Sequence, residues 1–291
     1  MRNEEVMMEL ILKRAVEDET IRMVEMNGSR INPTTKRESF QDYDIVYYVE
    51  DMEPFLKDHS WVDCFGERII LQMPDQMLIP PADKTRNSFS YLMLFTDGNR
   101  IDLTLTPAAL AEESLKRNEM RKILLDKDSR VQNSSFNLED PYRIQKPSEK
   151  EFWDCSNEFW WVSTYIGKAL WREELTLAKF IMEGPVRDML ITLLNWHVGI
   201  TTDFTVSTGK GGKNIEKYVE RELWSKLVLT YPNGSYENMW NSLFDMCSLF
   251  EELSCNIAQE LNFDLPDYGK KVLPYLRDIK KMPKDSERIY R

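Results

Sequence analysis

The pattern of apolar residues changes near Pro147, and this change limits the folds open to the 291-residue chain. Before it, short runs rich in β-branched and aromatic residues alternate with turn residues, as at 42–49 and 89–95, which is typical of strands. After it, apolar residues recur every three or four positions over long stretches, which is typical of helices. We therefore predict a two-domain α+β protein, with strands and helices in residues 1–147 and an all-helical domain in residues 148–291.

Individual elements follow from the same periodicities and from the turn residues between them. In the first domain we predict a helix over 4–19 and strands over 21–26, 42–49, 68–73, 89–95 and 100–105, the last two joined by the hairpin turn Thr96-Asp97-Gly98-Asn99. In the second we predict helices over 151–183, 185–198, 215–229 and 235–261, with Gly184-Pro185 ending the first of them, and a loosely packed tail after Pro266.

Composition favours a cytoplasmic protein that works through carboxylates. The start of the chain is acidic, and no apolar run approaches the ~18 residues that a membrane span needs, so we expect neither export nor a membrane partner. The four cysteines form no C-x-x-C pair and the histidines number only two, which disfavours zinc and histidine-based sites. A net charge of −11 disfavours nucleic acid and attracts metals or polycationic small molecules, although solubility alone would explain it equally well.

Three aspartates carry the chemistry that the sequence suggests. Asp42 and Asp44 stand two apart at a strand start, so they project from one face and repel each other unless a cation such as Mg²⁺ neutralises them. A solvated strand end is an equally good interpretation of this pair alone. Asp102 lies inside an apolar strand, where a buried unpaired carboxylate costs several kcal/mol. A third carboxylate near the first two would suit two-metal nucleotidyl transfer.

A glycine-serine pair, Gly28-Ser29, follows the first predicted strand. Glycine lets the backbone approach a ligand closely, and the exposed amides with the serine hydroxyl can bind a phosphate. Such a pair is by itself far more often only a turn.

Together these features resemble the polymerase-β-type nucleotidyltransferase fold. Longer stretches, including Glu25-Met26-Asn27-Gly28-Ser29-Arg30, Phe40-Gln41-Asp42-Tyr43-Asp44-Ile45, Leu125-Asp126-Lys127-Asp128 and Asn157-Glu158-Phe159-Trp160-Trp161-Val162-Ser163-Thr164-Tyr165, resemble the aminoglycoside 6-adenylyltransferases, also called streptomycin adenylyltransferases. The resemblance covers nearly the whole chain and implies an N-terminal nucleotidyltransferase domain with a mixed β-sheet flanked by helices. Many superfamily members place a serine before the first aspartate, whereas Gln41 stands here, so a hydroxyl contact to phosphate is missing or comes from Ser39.

The resemblance implies transfer of AMP from ATP to a streptomycin hydroxyl at position 6, with release of pyrophosphate and resistance to the antibiotic. Asp42 and Asp44 would hold Mg²⁺, and Asp102 would be a third metal ligand or the base that takes the hydroxyl proton. Gly28, Ser29 and Arg30 would bind the triphosphate. We expect a monomer with its active-site cleft between the two domains.

One helix of the second domain carries a mixed stripe at spacings of four and three: Asp154, Glu158, Trp161, Tyr165, Lys168 and Arg172. Its acids and Trp161 suit the guanidinium groups of streptomycin, and Lys168 and Arg172 suit the triphosphate. Lys210 and Lys213 flank glycines before a predicted helix and could also bind the nucleotide. The competing interpretations are surface charges beside a packed helix and a flexible solvated loop.

Two other functions stay open at this point. The chain could be a related nucleotidyltransferase acting on another hydroxylated small molecule, a protein or RNA, although the net charge of −11 speaks against RNA. It could also be an inert binding protein that keeps the fold. The intact Asp42, Asp44 and Asp102 argue against that, because clustered carboxylates are costly without a metal.

Overall fold

The computed structural model describes residues 1–33, 35–83, 85, 87–117, 120–131 and 142–288. The chain divides into two compact units, Met1–Pro141 and Tyr142–Arg291. Strands occur in the first unit, and the described part of the second is helical. The α+β class, with a mixed sheet and a helical C-terminal region, is confirmed.

The first unit is built from six strands and three short or medium helices within the described ranges. The strands are β1 (Ile21–Asn27), β2 (Tyr43–Val49), β3 (Arg68–Gln72), β4 (Phe89–Phe95), β5 (Arg100–Pro107) and β6 (Lys122–Asp126). The α-helices are α1 (Glu4–Glu17), α2 (Glu53–Lys57) and α3 (Ala111–Leu115), and 3₁₀ turns cover His59–Phe65, Pro74–Gln76 and Ala108–Leu110.

These strands form one mixed sheet in the order β3-β4-β5-β2-β1-β6. β2 and β5 are parallel neighbours, whereas the other pairs are antiparallel. The hairpin turn between β4 and β5 lies where the sequence predicts it, with Gly98 at a φ of +85°. The parallel pair places the starts of β2 and β5 side by side, and this is where the three candidate aspartates are.

The two faces of the sheet differ in character because side chains alternate along each strand. One face buries an apolar layer that includes Tyr43, Ile45, Leu103 and Tyr91 against α1 and the turn His59–Phe65. The Tyr47 hydroxyl donates to the backbone oxygen of Ile11 over 2.5 Å, which ties β2 to α1. The opposite face is free to carry polar side chains from alternate positions of the same strands.

The second unit consists of helices packed around an apolar core. They are α4 (Glu149–Trp171), α5 (Leu175–Ile181), α6 (Arg187–Thr201), α7 (Arg221–Leu229), α8 (Tyr236–Leu261) and α9 (Tyr268–Lys281), with a π-helical segment Met182–Val186 and 3₁₀ turns at Lys210–Gly212 and Ile215–Lys217. A capping box of Ser148 and Glu151 begins α4. Phe159 of α4 stacks on Phe250 of α8 with ring centroids 3.7 Å apart. Among the described helices, none combines the length and the apolar character that crossing a membrane requires.

Three helix predictions are wrong. The predicted helix 151–183 is broken after Trp171, where Glu173 adopts a φ of +64°. The break predicted at Gly184-Pro185 is confirmed, because Gly184 has a non-helical φ of −101° and ψ of −109° and kinks the chain between α5 and α6. The helix predicted to begin at Ile215 begins at Arg221. The chain after Pro266 is not loose: α9 buries Leu276 and Ile279 in the core, an amphipathic pattern that the sequence analysis overlooked.

Candidate active site

The three aspartates meet at the shared end of the parallel strands. Asp42 directly precedes β2, Asp44 lies within it, and Asp44 and Asp102 are register partners across the β2–β5 pair. Partners in adjacent parallel strands point to the same side of the sheet, and Asp42, two residues before Asp44, shares that side. The predicted grouping of carboxylates from two neighbouring strands is therefore present in the structure.

The carboxylates are partly buried and influence one another. Burial, followed by repulsion from Asp102 and Asp42, raises the pKa of Asp44 to about 6. Burial also raises the pKa of Asp42, while the neighbouring Arg100 acts in the opposite direction. Desolvation and like charge both disfavour the ionised form. This end of the sheet thus concentrates more negative charge than its surroundings neutralise.

Arg100 is a member of this site that the sequence analysis missed. Its Nε and Nη2 each donate a 2.7 Å hydrogen bond to a different carboxylate oxygen of Asp102. The same Nε lies 3.6 Å from Oδ2 of Asp42. Asp102 is therefore paired with a guanidinium of its own strand. The signal was available, because Arg100 stands two residues before Asp102 on one strand and so faces the same way.

Gly28 makes room for the Asp44 carboxylate. It adopts a φ of +76°, and a Cβ built on it would lie 1.9 Å from Oδ2 of Asp44. No carbon atom can approach an oxygen so closely without one of them moving. The close approach predicted for this glycine is thus an approach to Asp44.

Gln41 and Arg30 hold the loop that carries Ser29 and Asp42. The buried Gln41 donates through Nε2 to the backbone oxygen of Ser29 over 3.2 Å. Arg30 donates to the backbone oxygens of Asp42 and Gln41 at 3.0 and 2.7 Å. Its guanidinium lies 3.7 Å from the ring centroid of Tyr43. These contacts give Arg30 a positioning role beside Asp42, and a direct contact with the triphosphate stays a prediction.

The residues present suit a magnesium ion in their chemistry. All three acids offer hard oxygen ligands. Asn27, the cross-strand partner of Asp44, adds an amide oxygen that is buried without a hydrogen-bond partner in the described structure. In their present positions, however, no three His, Cys, Asp or Glu side chains of the described residues are gathered around a point where an ion could sit. The chemistry of these donors fits the ion, and both carboxylate oxygens of Asp102 are at present hydrogen-bonded to Arg100.

On α4, the structure separates a core face from the mixed stripe as the periodicity predicts. Phe159 and Ile166 are buried, whereas Asp154, Glu158 and Trp161 are exposed. Trp161, 61% exposed, donates from its indole nitrogen to the Tyr165 hydroxyl over 2.7 Å. Asp154 accepts from Lys150 at 2.5 Å. The exposed Trp161, oriented by Tyr165 and one helical turn from the exposed Glu158 carboxylate, is suited to bind an organic cation.

Four other basic residues predicted to bind the nucleotide lie in the second unit. The Lys168 ammonium lies 5.2 Å from the Tyr165 ring centroid, and Arg172 is 4.0 Å from a Glu174 carboxylate oxygen. Lys210 and Lys213 are exposed on a loop that contains the short 3₁₀ turns Lys210–Gly212 and Ile215–Lys217. Because α7 begins at Arg221, the helix terminus invoked for these two lysines is not there.

The sequence matches the streptomycin adenylyltransferase family over residues 1–279. The chain belongs to this family, and it is accordingly an enzyme of the nucleotidyltransferase class. The resemblance seen in the motifs is thereby confirmed over almost the full chain.

Two relatives of known name agree with this assignment at moderate sequence identity. The chain is 41% identical to an aminoglycoside 6-adenylyltransferase of Campylobacter jejuni, over 97% of each chain. It is 40% identical to one of Bacillus subtilis, over 96% of this chain and 98% of the relative. It is also similar to a crystal structure of an aminoglycoside 6-adenyltransferase from Bacillus subtilis, with a TM-score of 0.49, 37% identity, and coverage of 97% of this chain and 100% of that one.

Proposed function

We propose that the protein transfers AMP from ATP to the hydroxyl at position 6 of streptomycin and releases pyrophosphate. Family membership and the relatives give the coarser activity, transfer of AMP to an aminoglycoside. The observation that carries the proposal to this chain is the group of Asp42, Asp44 and Asp102 on neighbouring strands. A fold that only bound ligands would have little reason to keep three mutually repelling carboxylates together.

Asp42 and Asp44 would hold Mg²⁺, with Asp102 as the third oxygen donor or as the base for the acceptor hydroxyl. Bound there, the metal would supply charge neutralisation at the transferring phosphate and a lowered pKa for a coordinated oxygen. Arg100 donates one hydrogen bond to each carboxylate oxygen of Asp102, and each oxygen keeps a second lone pair that can accept the hydroxyl proton.

The turn at Gly28-Ser29 is the proposed site of the triphosphate. It directly follows β1, whose last residue, Asn27, pairs with Asp44 of β2. Gln41 holds the turn through the Ser29 backbone oxygen. Because this contact uses a carbonyl, the backbone amides of the turn and the Ser29 hydroxyl can donate to an anion. Lys168, Arg172, Lys210 and Lys213 are further proposed contacts to the nucleotide from the second unit.

The exposed stripe of α4 is the proposed binding surface for the antibiotic. Streptomycin carries guanidinium groups, and a planar guanidinium pairs with a carboxylate through two parallel hydrogen bonds. Glu158 and Asp154 supply carboxylates and Trp161 supplies an aromatic face. Aminoglycosides that carry only ammonium groups would use this surface less well.

The test is a panel of aminoglycosides incubated with ATP and Mg²⁺ and analysed by mass spectrometry. Streptomycin should gain one adenylyl group, fragmentation should place it at position 6, and pyrophosphate should appear in equal amount. Asp42→Asn should abolish the product, whereas Asp63→Asn, which removes an exposed carboxylate of the same unit, should not. Transfer to other aminoglycosides but not to streptomycin would contradict the proposed acceptor. No transfer to any would contradict the activity.

A further inference from the structure

Arg100 is placed where a metal ion would have to act. It starts β5 two residues before Asp102, donates to both oxygens of that carboxylate at 2.7 Å, and lies 3.6 Å from Asp42. One guanidinium thus contacts two of the three carboxylates. A cation so placed neutralises part of the charge that the three acids concentrate there.

A guanidinium and a dication cannot share this position. Both are positive, and the two-bond fork engages both carboxylate oxygens of Asp102, the atoms that would coordinate a shared ion. The side chains of the cluster accordingly do not converge on a metal-sized point within the described residues. The Arg100 side chain is 42% exposed, so its departure into solvent requires no opening of the core.

We propose that Arg100 is a built-in counter-cation, a positioning residue that occupies the carboxylate cluster of the metal-free enzyme and leaves Asp102 when Mg²⁺ binds. Arg100 competes with the metal, sets the metal concentration at which the site fills, and keeps Asp102 directed toward the cluster until then. This inference rests on the proposed function, because it requires that the cluster bind a divalent ion.

The competition gives a variant that binds metal better than the natural protein. In Arg100→Gln the carboxylates lose their resident cation, so Mn²⁺ should bind ~5- to 20-fold more tightly in the absence of nucleotide. Loss of a fully buried charge-assisted pair would change the affinity by ~10- to 100-fold, and the effect is smaller here because Arg100 is half exposed. Without metal the variant should melt lower than the natural protein, and Mn²⁺ should raise its melting temperature by more. Arg100→Lys keeps the charge but cannot form the fork, and its Mn²⁺ affinity should fall between the two.

The experiment is a titration of free Mn²⁺ followed by electron paramagnetic resonance, with melting curves of the same samples. Arg68→Gln is the matched control, since Arg68 lies on β3 of the same sheet and pairs with Asp63 instead of the cluster. Adding Asp42→Asn to Arg100→Gln should abolish the gained affinity, which assigns the ion to this site. An Arg100→Gln affinity no tighter than that of the natural protein overturns the inference, and so does an equal gain in Arg68→Gln.

Adenylylation of streptomycin by the natural protein separates this inference from the proposed function. If the natural protein turns over but Arg100→Gln gains no Mn²⁺ affinity, the competition is refuted and the function stands. If neither Mn²⁺ binding nor transfer is detected in the natural protein, the function fails and the inference fails with it.

Discussion

Replacing Gly28 by alanine tests whether the turn after β1 exists to accommodate Asp44. The new Cβ would lie 1.9 Å from Oδ2 and 2.7 Å from Cγ of Asp44, so the carboxylate must leave its position. The φ of +76° adds backbone strain of ~1–2 kcal/mol for a residue with a Cβ. We expect a modest loss of stability together with a large loss of activity.

A matched variant separates strain from displacement. Gly98, in the β4–β5 hairpin, has a φ of +85°, and a Cβ on it would meet no described atom within 4 Å. Gly98→Ala therefore has similar strain without the clash. Each variant should lower the melting temperature by ~2–8 °C, since ~1 kcal/mol corresponds to ~2–4 °C in a protein of about this size. Only Gly28→Ala should lose turnover, by ~10²-fold, because a catalytic group is displaced by about 1 Å or more.

Calorimetry and a pyrophosphate-release assay on both variants provide the comparison. Turnover in Gly28→Ala as high as in Gly98→Ala would show that the position of the Asp44 carboxylate does not matter for the reaction. It would refute the placement of Asp44 in the metal site. A loss of turnover in both variants would instead trace the effect to backbone strain in the sheet.

Three further predictions concern single carboxylates. The pKa of Asp44 is raised to about 6 in the folded protein. Without metal, the folded state therefore keeps a proton that the unfolded chain loses above pH ~4, and the free energy of unfolding falls as the pH rises from ~4 to ~6. In EDTA, Asp44→Asn should therefore be more stable than the natural protein above that window by up to ~3 kcal/mol and equal to it below; urea unfolding at several pH values that finds no gain at neutral pH contradicts this. Asp102→Asn should lower turnover by ~10²–10⁴-fold; unchanged ATP affinity by titration would identify a base, and weakened Mg²⁺-dependent affinity a ligand. Glu158→Gln should raise the KM for streptomycin by ~10–100-fold with little change in the KM for ATP. If the variant has the same KM as the natural protein for both substrates, this face of α4 is only solvated surface.

Period-two alternation is the reason the carboxylate cluster could be predicted from the sequence. It fixes the shared face of Asp42 and Asp44 within one strand without any tertiary information. That Asp102 joins them depends on β2 and β5 being parallel neighbours, which no local pattern dictates. This pairing came from the resemblance to a known fold.

The wrong predictions arose where packing competes with local signals. The core-facing residues Leu170 and Ala178 lie on either side of the break after Trp171, so the local apolar pattern predicts one helix where the structure has two. Conversely, the lysine-rich α9 has a low apolar content, and its helical character depends on Leu276 and Ile279 meeting α4 and α8.

The charge balance of the cluster connects its structure with its proposed chemistry. Three carboxylates share one end of the sheet, and Arg100, whose guanidinium contacts Asp42 and Asp102, can neutralise only one charge. Arg30 donates to backbone oxygens and to Glu4, and its charge acts on Asp42 and Asp44 only from a distance. Burial first, and then repulsion from Asp102 and Asp42, raises the pKa of Asp44 to about 6, so the cluster disfavours its own full ionisation. Since an arginine cannot supply a second charge and a divalent ion can, the cluster is arranged to exchange the one for the other.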